Sequence, residues 1–312
     1  MILITGASGY VGSHITKRLI SEGYQVRVLV HNTQYARKER RLEGLEIEWL
    51  EGDVTKPETL VDAVANIEAI IHTVAIAIEK GDRKYEQINY QGTVNIVEAA
   101  KKTGVTRFLN MSQMGAAAHL PYRFLASKGK AQEYVASSGL DWTTFRPCVI
   151  WGPEDEFANT FAKLIPLSPL IYPIIGDDDT KFQPVWVEDV VTCFIKALKN
   201  PGTIEKEYEL GGPEILTLEE IERRTLKAVG ARRQMVHFPI PLLRIIVSLM
   251  ETLLPNPPIT SSLLELLEVS NVAEDNAISQ FVPDPRPFKV EFIAPYMQNF
   301  HLKDTISQFL GR

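Results

Sequence analysis

The sequence predicts an α/β fold in which a doubly wound parallel sheet is followed by a smaller C-terminal α+β domain. Three observations carry that expectation. The chain opens with an apolar β-type run, Ile2-Leu3-Ile4-Thr5, which meets a turn holding glycines at positions 6, 9 and 12. Strand-like and helix-like segments then alternate six times, the pattern of right-handed crossovers in a parallel sheet. From about residue 153 the periodicity degrades, and Pro166, Pro169 and Pro173 interrupt the chain. The expected division is 1–152 for the sheet domain, with a strand and a helix returning to it at about 181–200. Residues 153–312 then form the smaller, mostly helical domain.

The first element sets the rest. His14 to Ile20 carries apolar residues at helical spacing, so the opening reads as strand, glycine turn, helix, the context a dinucleotide-binding turn needs. Gly6, Ser8, Gly9, Tyr10, Val11 and Gly12 are its candidate contacts. One glycine permits the tight turn, one lets backbone approach a pyrophosphate, and one lets the helix pack closely on the strand. Free N–H groups at the helix start, and the helix dipole, favour phosphate. The 1–152 domain is therefore expected to bind a dinucleotide.

Gln25 to Val30 reads as the second strand. An acid near its end would bind the ribose 2′-hydroxyl of NAD, but His31 and Asn32 occupy those positions, and Arg37, Lys38, Arg40 and Arg41 follow. Missing carboxylate and nearby cations fit a 2′-phosphate, so NADP(H) is expected over NAD(H), with His31, Asn32 and Arg37 as contacts. The same run also fits a solvated helix face. Leu45 to Leu50 is the third strand. Beyond it, Asp53 suits an acceptor for the adenine amino group and Val54 a cover for the ring. Asp53 or Thr55 equally suits a cap on a helix starting at Pro57.

Ala69 to Val74 is a nearly continuous apolar run, as in a strand buried on both faces, and its His72 reads as a satisfied core histidine. Tyr85 to Lys102 is a helix with Asn89, Thr93 and Asn95 along its polar side. Arg107 to Met111 is the fifth strand and delivers Ser112 at its carboxyl end, the edge where ligands sit in open parallel sheets. A helix from about Pro121 carries Lys128. Trp142 to Arg146 is the sixth strand, leading into Pro147. Further on, Gly176 to Asp179 reads as an acidic turn, Phe182 to Val187 as a strand, Val187 to Leu198 as a helix and Tyr208 to Gly212 as a short strand and turn. Thr217 with Glu220 three residues later reads as a capping box.

Pro241 to Leu254 is the most apolar helix-like stretch, with Arg244, Ser248, Glu251 and Thr252 forming one narrow polar stripe. Such a helix is buried in the small domain, bound to a protein partner, or laid on a membrane surface. Of the 312 residues 45% are hydrophobic and 23% charged, with a net charge of -6. No basic surplus exists for nucleic acid, so none is expected as a ligand. Cys148 and Cys193 are the only cysteines and show no metal-ligand spacing; they read as reduced thiols, and no metal is expected. No run reaches the roughly 18–20 apolar residues of a membrane-spanning helix. A strand beginning at residue 2 leaves no room for a signal peptide. A cytoplasmic location, or a peripheral one on the cytoplasmic side of a membrane, is the expectation.

Taken together, Thr5 to Gly12, Gly52-Asp53-Val54, Asn89-Tyr90-Gln91-Gly92-Thr93-Val94-Asn95, Ser112, Ser127-Lys128, Arg146-Pro147 and Phe182 to Val190 resemble an extended short-chain dehydrogenase/reductase of the atypical branch. Within that branch, the apolar stretch ending in prolines at 255, 257 and 258 resembles bacterial relatives of the nucleotide-binding accessory subunit of respiratory complex I. The resemblance implies a Rossmann-type sheet and extends the cofactor contacts to Thr73, Ala75, Asn89, Lys128, Pro147 and Val149. It also implies a catalytic Ser112 and Lys128 beside a tyrosine four residues before the lysine. That tyrosine would exchange a proton with the substrate oxygen, its pKa lowered by the lysine. Here the position is Phe124, which has no proton to exchange. Tyr122 lies six residues before Lys128, about 120° away around an ideal helix, and would replace it only through an irregular first turn. Two function classes therefore stand: a nucleotide-binding structural or regulatory protein without turnover, or an active NAD(P)-dependent reductase, epimerase or dehydratase using Tyr122 or another acid.

Overall fold

The computed structural model describes residues 1–297 apart from 39, 169, 175–178, 239, 256, 258 and 268. Residues 176–178 of the expected acidic turn thus lie outside the described residues. The chain divides into two compact units, Met1–Pro147 with Val187–Leu210 and Asp275–Asp284, and Cys148–Trp186 with Gly211–Glu274 and the residues from Pro285.

The first unit is built on seven strands: β1 (Ile2–Thr5), β2 (Val26–Val30), β3 (Glu48–Glu51), β4 (Ala69–His72), β5 (Arg107–Met111), β6 (Asp141–Pro147) and β7 (Lys206–Leu210). Their order in the sheet is β7-β6-β5-β4-β1-β2-β3, every pair parallel. This is a Rossmann-type sheet, and its order reverses between β1 and β4, where such sheets open a crevice at the carboxyl ends of the strands. β1, β2 and β4 are buried along their whole length, which is why they read as unbroken apolar runs. Its helices include α1 (Tyr10–Ser21), α2 (Thr33–Ala36), α3 (Gly92–Thr103), α4 (Arg123–Ala136) and α5 (Val187–Lys199). Ile96, Val97 and Ala100 of α3 and Val135 of α4 share a core with Leu3, Leu29, Ile70, Phe108 and Trp142 of the sheet. α1 packs on α5, and Phe194 of α5 lies 4.7 Å from Phe145 of β6, ring centre to ring centre.

Three stretches before α3 differ from expectation. Strand pairing of β3 begins at Glu48, opposite Arg27, and leaves Leu45–Ile47 outside the ladder. Pro57 starts a single 3-10 turn, Pro57–Thr59, and no continuing helix. The buried Arg27 guanidinium instead takes the carbonyls of Asp62, Ala63 and Ala65 and pairs with Glu48. The helix expected from Tyr85 begins as a π-helical turn, Glu86–Gln91, before α3. That turn carries Asn89, which is buried along with Thr93 and Asn95, so these residues do not form a solvated polar side.

Among the described residues the second unit holds three small ladders. Ile150–Trp151 pairs parallel with Val185–Trp186, Lys181–Phe182 antiparallel with Leu216–Thr217, and Ile171–Ile174 parallel with Gln234–His237. The strand expected over Phe182–Val187 is split in two by Pro184, which has no N–H for a ladder. Trp151 anchors the unit's core, 4.5 Å from the Trp186 ring and 5.2 Å from Phe288. The helix Leu218–Val229 starts with the expected capping box: Glu220 N–H donates to Thr217 Oγ1 and Thr217 N–H to the Glu220 carboxylate.

The apolar helix spans Ile240–Leu253. Leu243 and Val247 are buried, but Leu242, Ile245, Ile246, Leu249 and Leu253 are between 39% and 68% exposed. Full burial, the first of the three readings of this stretch, is thus overturned. Among the described residues no helix is long and apolar enough to cross a membrane.

Candidate functional site: a glycine turn and a buried polar relay

Gly6 sits at φ +83°, left-handed backbone that glycine alone adopts without strain, and a Cβ there would lie 2.7 Å from Thr73 Oγ1. A Cβ on Gly12 would lie 2.2 Å from the Gly6 carbonyl oxygen. The turn therefore folds back onto the start of α1 at a distance no other residue permits. Ser8 and Gly9 are exposed. Gly9 is the N-cap of α1, without a side-chain cap, and the first turn holds no acid. The leading N–H groups of α1 thus have no side-chain cap and lie next to exposed, side-chain-poor backbone, as holding a pyrophosphate requires. Tyr10 packs edge-on against His14, 5.3 Å between ring centres. His14 and Arg18 share the Glu188 carboxylate of α5, which tie it below the ordinary carboxylate range despite its burial.

Thr73 anchors the other side of the crevice, its N–H and hydroxyl both donating to the Thr5 carbonyl. Ala75 is exposed on the loop beyond it. That loop is held by Asn89, whose Oδ1 accepts from Ile76 N–H while its amide donates to Ile76 O and Ser127 Oγ. Asn89 is fully buried and committed to these bonds, so it shapes the crevice from behind.

Behind Asn89 runs a relay. Thr93 Oγ1 donates to the Asn89 carbonyl and so accepts from His72 Nε2–H at 3.0 Å, leaving His72 Nδ1 to accept from Thr5 Oγ1 at 2.6 Å. His72 is neutral: burial, then the Lys128 charge, pushes its pKa down to about 3. It is the satisfied core histidine that its strand position implied.

Lys128 reaches from α4 to the Met111 carbonyl, 2.6 Å away, at the carboxyl end of β5. Burial lowers its pKa to about 8. The next residue, Ser112, is buried, and its Oγ has no hydrogen-bond partner among the described residues. A buried hydroxyl of that kind is an open position for a ligand oxygen. Phe124 packs edge-on against Tyr85, 5.7 Å between ring centres, and the Tyr85 hydroxyl donates to the Ala77 carbonyl. Tyr122 is the N-cap of α4, extended at φ -76° and ψ 105°. It stands outside the helix that carries Lys128, and the expected start near Pro121 moves to Arg123.

At the far end, the structure separates the candidates. His31 is exposed, 3.6 Å from Asp53. The Asn32 side chain caps α2 by accepting from Tyr35 N–H, and the Arg37 guanidinium lies 5.5 Å from the centre of the Trp49 ring. Asp53 accepts from the N–H and hydroxyl of Thr55. Burial alone would raise its pKa, but those bonds, His31 and Lys56 hold it below the ordinary value. Val54 is 4% exposed and lies in the core, its carbonyl bonded by Asn95. Sequence reasoning missed Glu51. Strand register sets it opposite Val30, and its carboxylate takes the N–H and hydroxyl of Thr33. Strand register brings this carboxylate beside Thr33, a pairing that no spacing along the chain discloses. Pro147 is buried at the end of β6, its carbonyl accepting from Met114 N–H. Val149, in the second unit, donates its N–H to Asn271 Oδ1.

Strand, glycine turn and helix at the switch point of an all-parallel sheet define a dinucleotide-binding protein. The family model described as NAD(P)H-binding matches residues 6–158. The photosystem II assembly factor Ycf39 of Guillardia theta is 30% identical over 242 residues, covering 78% of this chain and 74% of that relative. The mitochondrial NADH dehydrogenase [ubiquinone] 1 alpha subcomplex subunit 9 of Arabidopsis thaliana is 26% identical over 310 residues, covering 94% and 77%. A nucleoside-diphosphate-sugar epimerase from Staphylococcus aureus, 21% identical, superposes with a TM-score of 0.73 over 93% of this chain and 99% of its own, and shares the fold. The chain belongs to the NAD(P)-binding, atypical short-chain dehydrogenase/reductase family, related to the complex I subunit and to Ycf39.

Proposed function

We propose that the protein holds a nicotinamide dinucleotide as a structural or regulatory element of an assembly and turns over little or no substrate. The observation that carries this reading is Phe124: a ring without an exchangeable proton stands four residues before Lys128, where the family resemblance implies a tyrosine. Gly6, Ser8, Gly9, Tyr10, Val11 and Gly12 take the pyrophosphate, Thr73 and Ala75 line the crevice, and Lys128 with Ser112 meets the nicotinamide end. NADP(H) is the preferred cofactor, supported by the exposed His31 and Arg37 beside a Glu51 turned toward Thr33. The first unit carries the nucleotide, and the second meets a partner or membrane surface through the exposed face of Ile240–Leu253. A peripheral position on the cytoplasmic side of a membrane fits that arrangement. The relatives in mitochondrial complex I support the assembly reading.

The test joins binding and turnover. Calorimetric titration should give tighter binding of NADPH than of NADH; equal affinity would remove the NADP preference. Wild type should show little activity on a panel of carbonyl and sugar-nucleotide substrates, and Tyr122→Phe should change nothing. A positioned acid is worth about 10²–10⁴ in rate, so Phe124→Tyr is the variant in which turnover would appear. Robust wild-type activity that collapses in Tyr122→Phe would make the protein an enzyme and sink the binding-subunit reading.

A further inference from the structure

A polar row crosses the apolar core of the sheet. Thr5, His72, Asn110 and Thr144 are in register on β1, β4, β5 and β6, and none is more than 2% exposed. Residues paired across a sheet share a face, so the four form one band. The band lies directly beneath the carboxyl edge: the next residues outward are Gly6, Thr73 and Met111, whose carbonyl takes Lys128. Stability alone does not call for such a band, because bonded polar partners replaced together by apolar groups of the same shape leave a fold nearly as stable.

From this band runs a chain of hydrogen bonds whose direction is fixed at every link. Thr5 Oγ1 donates to His72 Nδ1, His72 Nε2–H to Thr93 Oγ1, and Thr93 Oγ1 to the Asn89 carbonyl. The Asn89 amide then donates to Ser127 Oγ, and Ser127 Oγ to the Phe124 carbonyl in the first turn of α4. Both imidazole nitrogens are used, and the Thr93 and Ser127 hydroxyls each accept and donate, so reversing the chain would cost a bond at its end. It starts on the residue before Gly6 and finishes beside Lys128. After burial, the charge of Lys128 is the next cause that lowers the His72 pKa, which places the two close together.

We propose that His72 is a positioning residue for the dinucleotide: it holds the glycine turn in register with Lys128, so that one nucleotide meets both ends of its site. His72 touches no ligand and acts through Thr5 and Thr93. A rigid ring with an acceptor on one nitrogen and a donor on the other sets the spacing between a β1 hydroxyl and an α3 hydroxyl. An aliphatic side chain would fill the space and leave that spacing free. Binding constellations demand placement within about 0.5 Å, held by residues behind them. The proposal rests on the nucleotide reading above and adds to it the means by which the two ends stay aligned.

The experiment is calorimetric titration of the full chain with ADP, which carries the pyrophosphate, and with NADPH, which reaches on to Lys128. His72→Leu should weaken NADPH by about 10- to 100-fold, within the span typical of coupled sites, and ADP by less than about threefold. His72→Gln, whose carboxamide can accept from Thr5 and donate to Thr93, should recover most of the loss. In a Lys128→Met background, His72→Leu should cost NADPH less than about threefold, because the contact it aligns is already gone. Should His72→Leu fail to fold, Thr93→Val breaks the same chain one link on and carries the same NADPH, ADP and Lys128→Met expectations. Equal losses for ADP and NADPH, or losses that add to those of Lys128→Met, would make His72 a core residue only and overturn the proposal. NADPH binding by the wild type that His72→Leu leaves unchanged would overturn it too, with the nucleotide reading intact. A wild type that binds neither ligand would sink the nucleotide reading and the proposal together.

Discussion

The two ends of the proposed nucleotide site are built from different materials. The phosphate end is backbone: Gly6 in a left-handed turn, Gly12 against the Gly6 carbonyl, and the leading N–H groups of α1. The proposed nicotinamide end is side chains: Lys128 on the Met111 carbonyl, Ser112 with a hydroxyl unpartnered among the described residues, and Phe124 packed on Tyr85. Binding by backbone geometry requires only that nothing intrude. Proton transfer requires one particular group, and its replacement leaves the surroundings intact. A fold can thus keep its ligand and lose its chemistry at a single position.

Adding a Cβ at the phosphate end should break it. Gly12→Ala places a methyl where 2.2 Å separates it from a backbone oxygen, and helix and turn must part. A loss of about 1–3 kcal/mol in stability is expected from overpacking, together with at least a hundredfold weaker nucleotide binding. Gly9→Ala, whose Cβ meets only the Gly6 carbonyl at 3.1 Å, should be the milder of the two in thermal melts. Equal damage from both would mean that the turn is not read through close approach.

The nicotinamide end is sharpened by pH. The unfolded chain keeps the Lys128 proton to about 10.5 and the folded one only to about 8. Burial therefore destabilises the charged form fully below pH 8, and that penalty, about 3 kcal/mol, is relieved as pH rises through 10.5. Lys128→Met should raise the melting temperature near neutrality and lose that advantage across the same window, while nucleotide affinity falls. A pH-independent difference would place Lys128 in a solvated setting.

The smallest effect concerns Ser112. Removing a buried hydroxyl with no partner costs little, so Ser112→Ala should leave the stability of the free protein within about 1 kcal/mol of wild type. Asn89→Ala, which strips bonds from Ile76 and Ser127, should cost distinctly more by chemical denaturation. A reversal of that order would show that the Ser112 hydroxyl is bonded after all.

The same contrast governs how much could be read from the chain. The glycine turn, the parallel sheet, His72 as a core residue, and the capping box at Thr217 are all specified by neighbours in sequence, and each was legible. Glu51 beside Thr33, Asn89 behind the crevice, and Arg27 on the carbonyls after Pro57 depend on strand register or on burial, which spacing does not encode. The Ile240–Leu253 stretch shows the limit from another side. Its one-sided polar stripe was visible, but whether the opposite face is covered is a property of what surrounds it.

The chain's path between units has a consequence for its synthesis. The first unit is written in three pieces, ending at Pro147, Leu210 and Asp284. When residue 147 leaves the ribosome, β6 is an unpaired edge, because its partner β7 lies at Lys206–Leu210. At about 5–20 residues per second the edge waits several seconds for that strand. The segment Asn276–Phe281, whose Ala277 N–H bonds the Glu209 carbonyl and whose Phe281 ring abuts Phe145 and Tyr208, arrives later still. Nascent chains of this protein thus carry an open sheet edge through much of translation, an interval in which a ribosome-associated chaperone has something to hold.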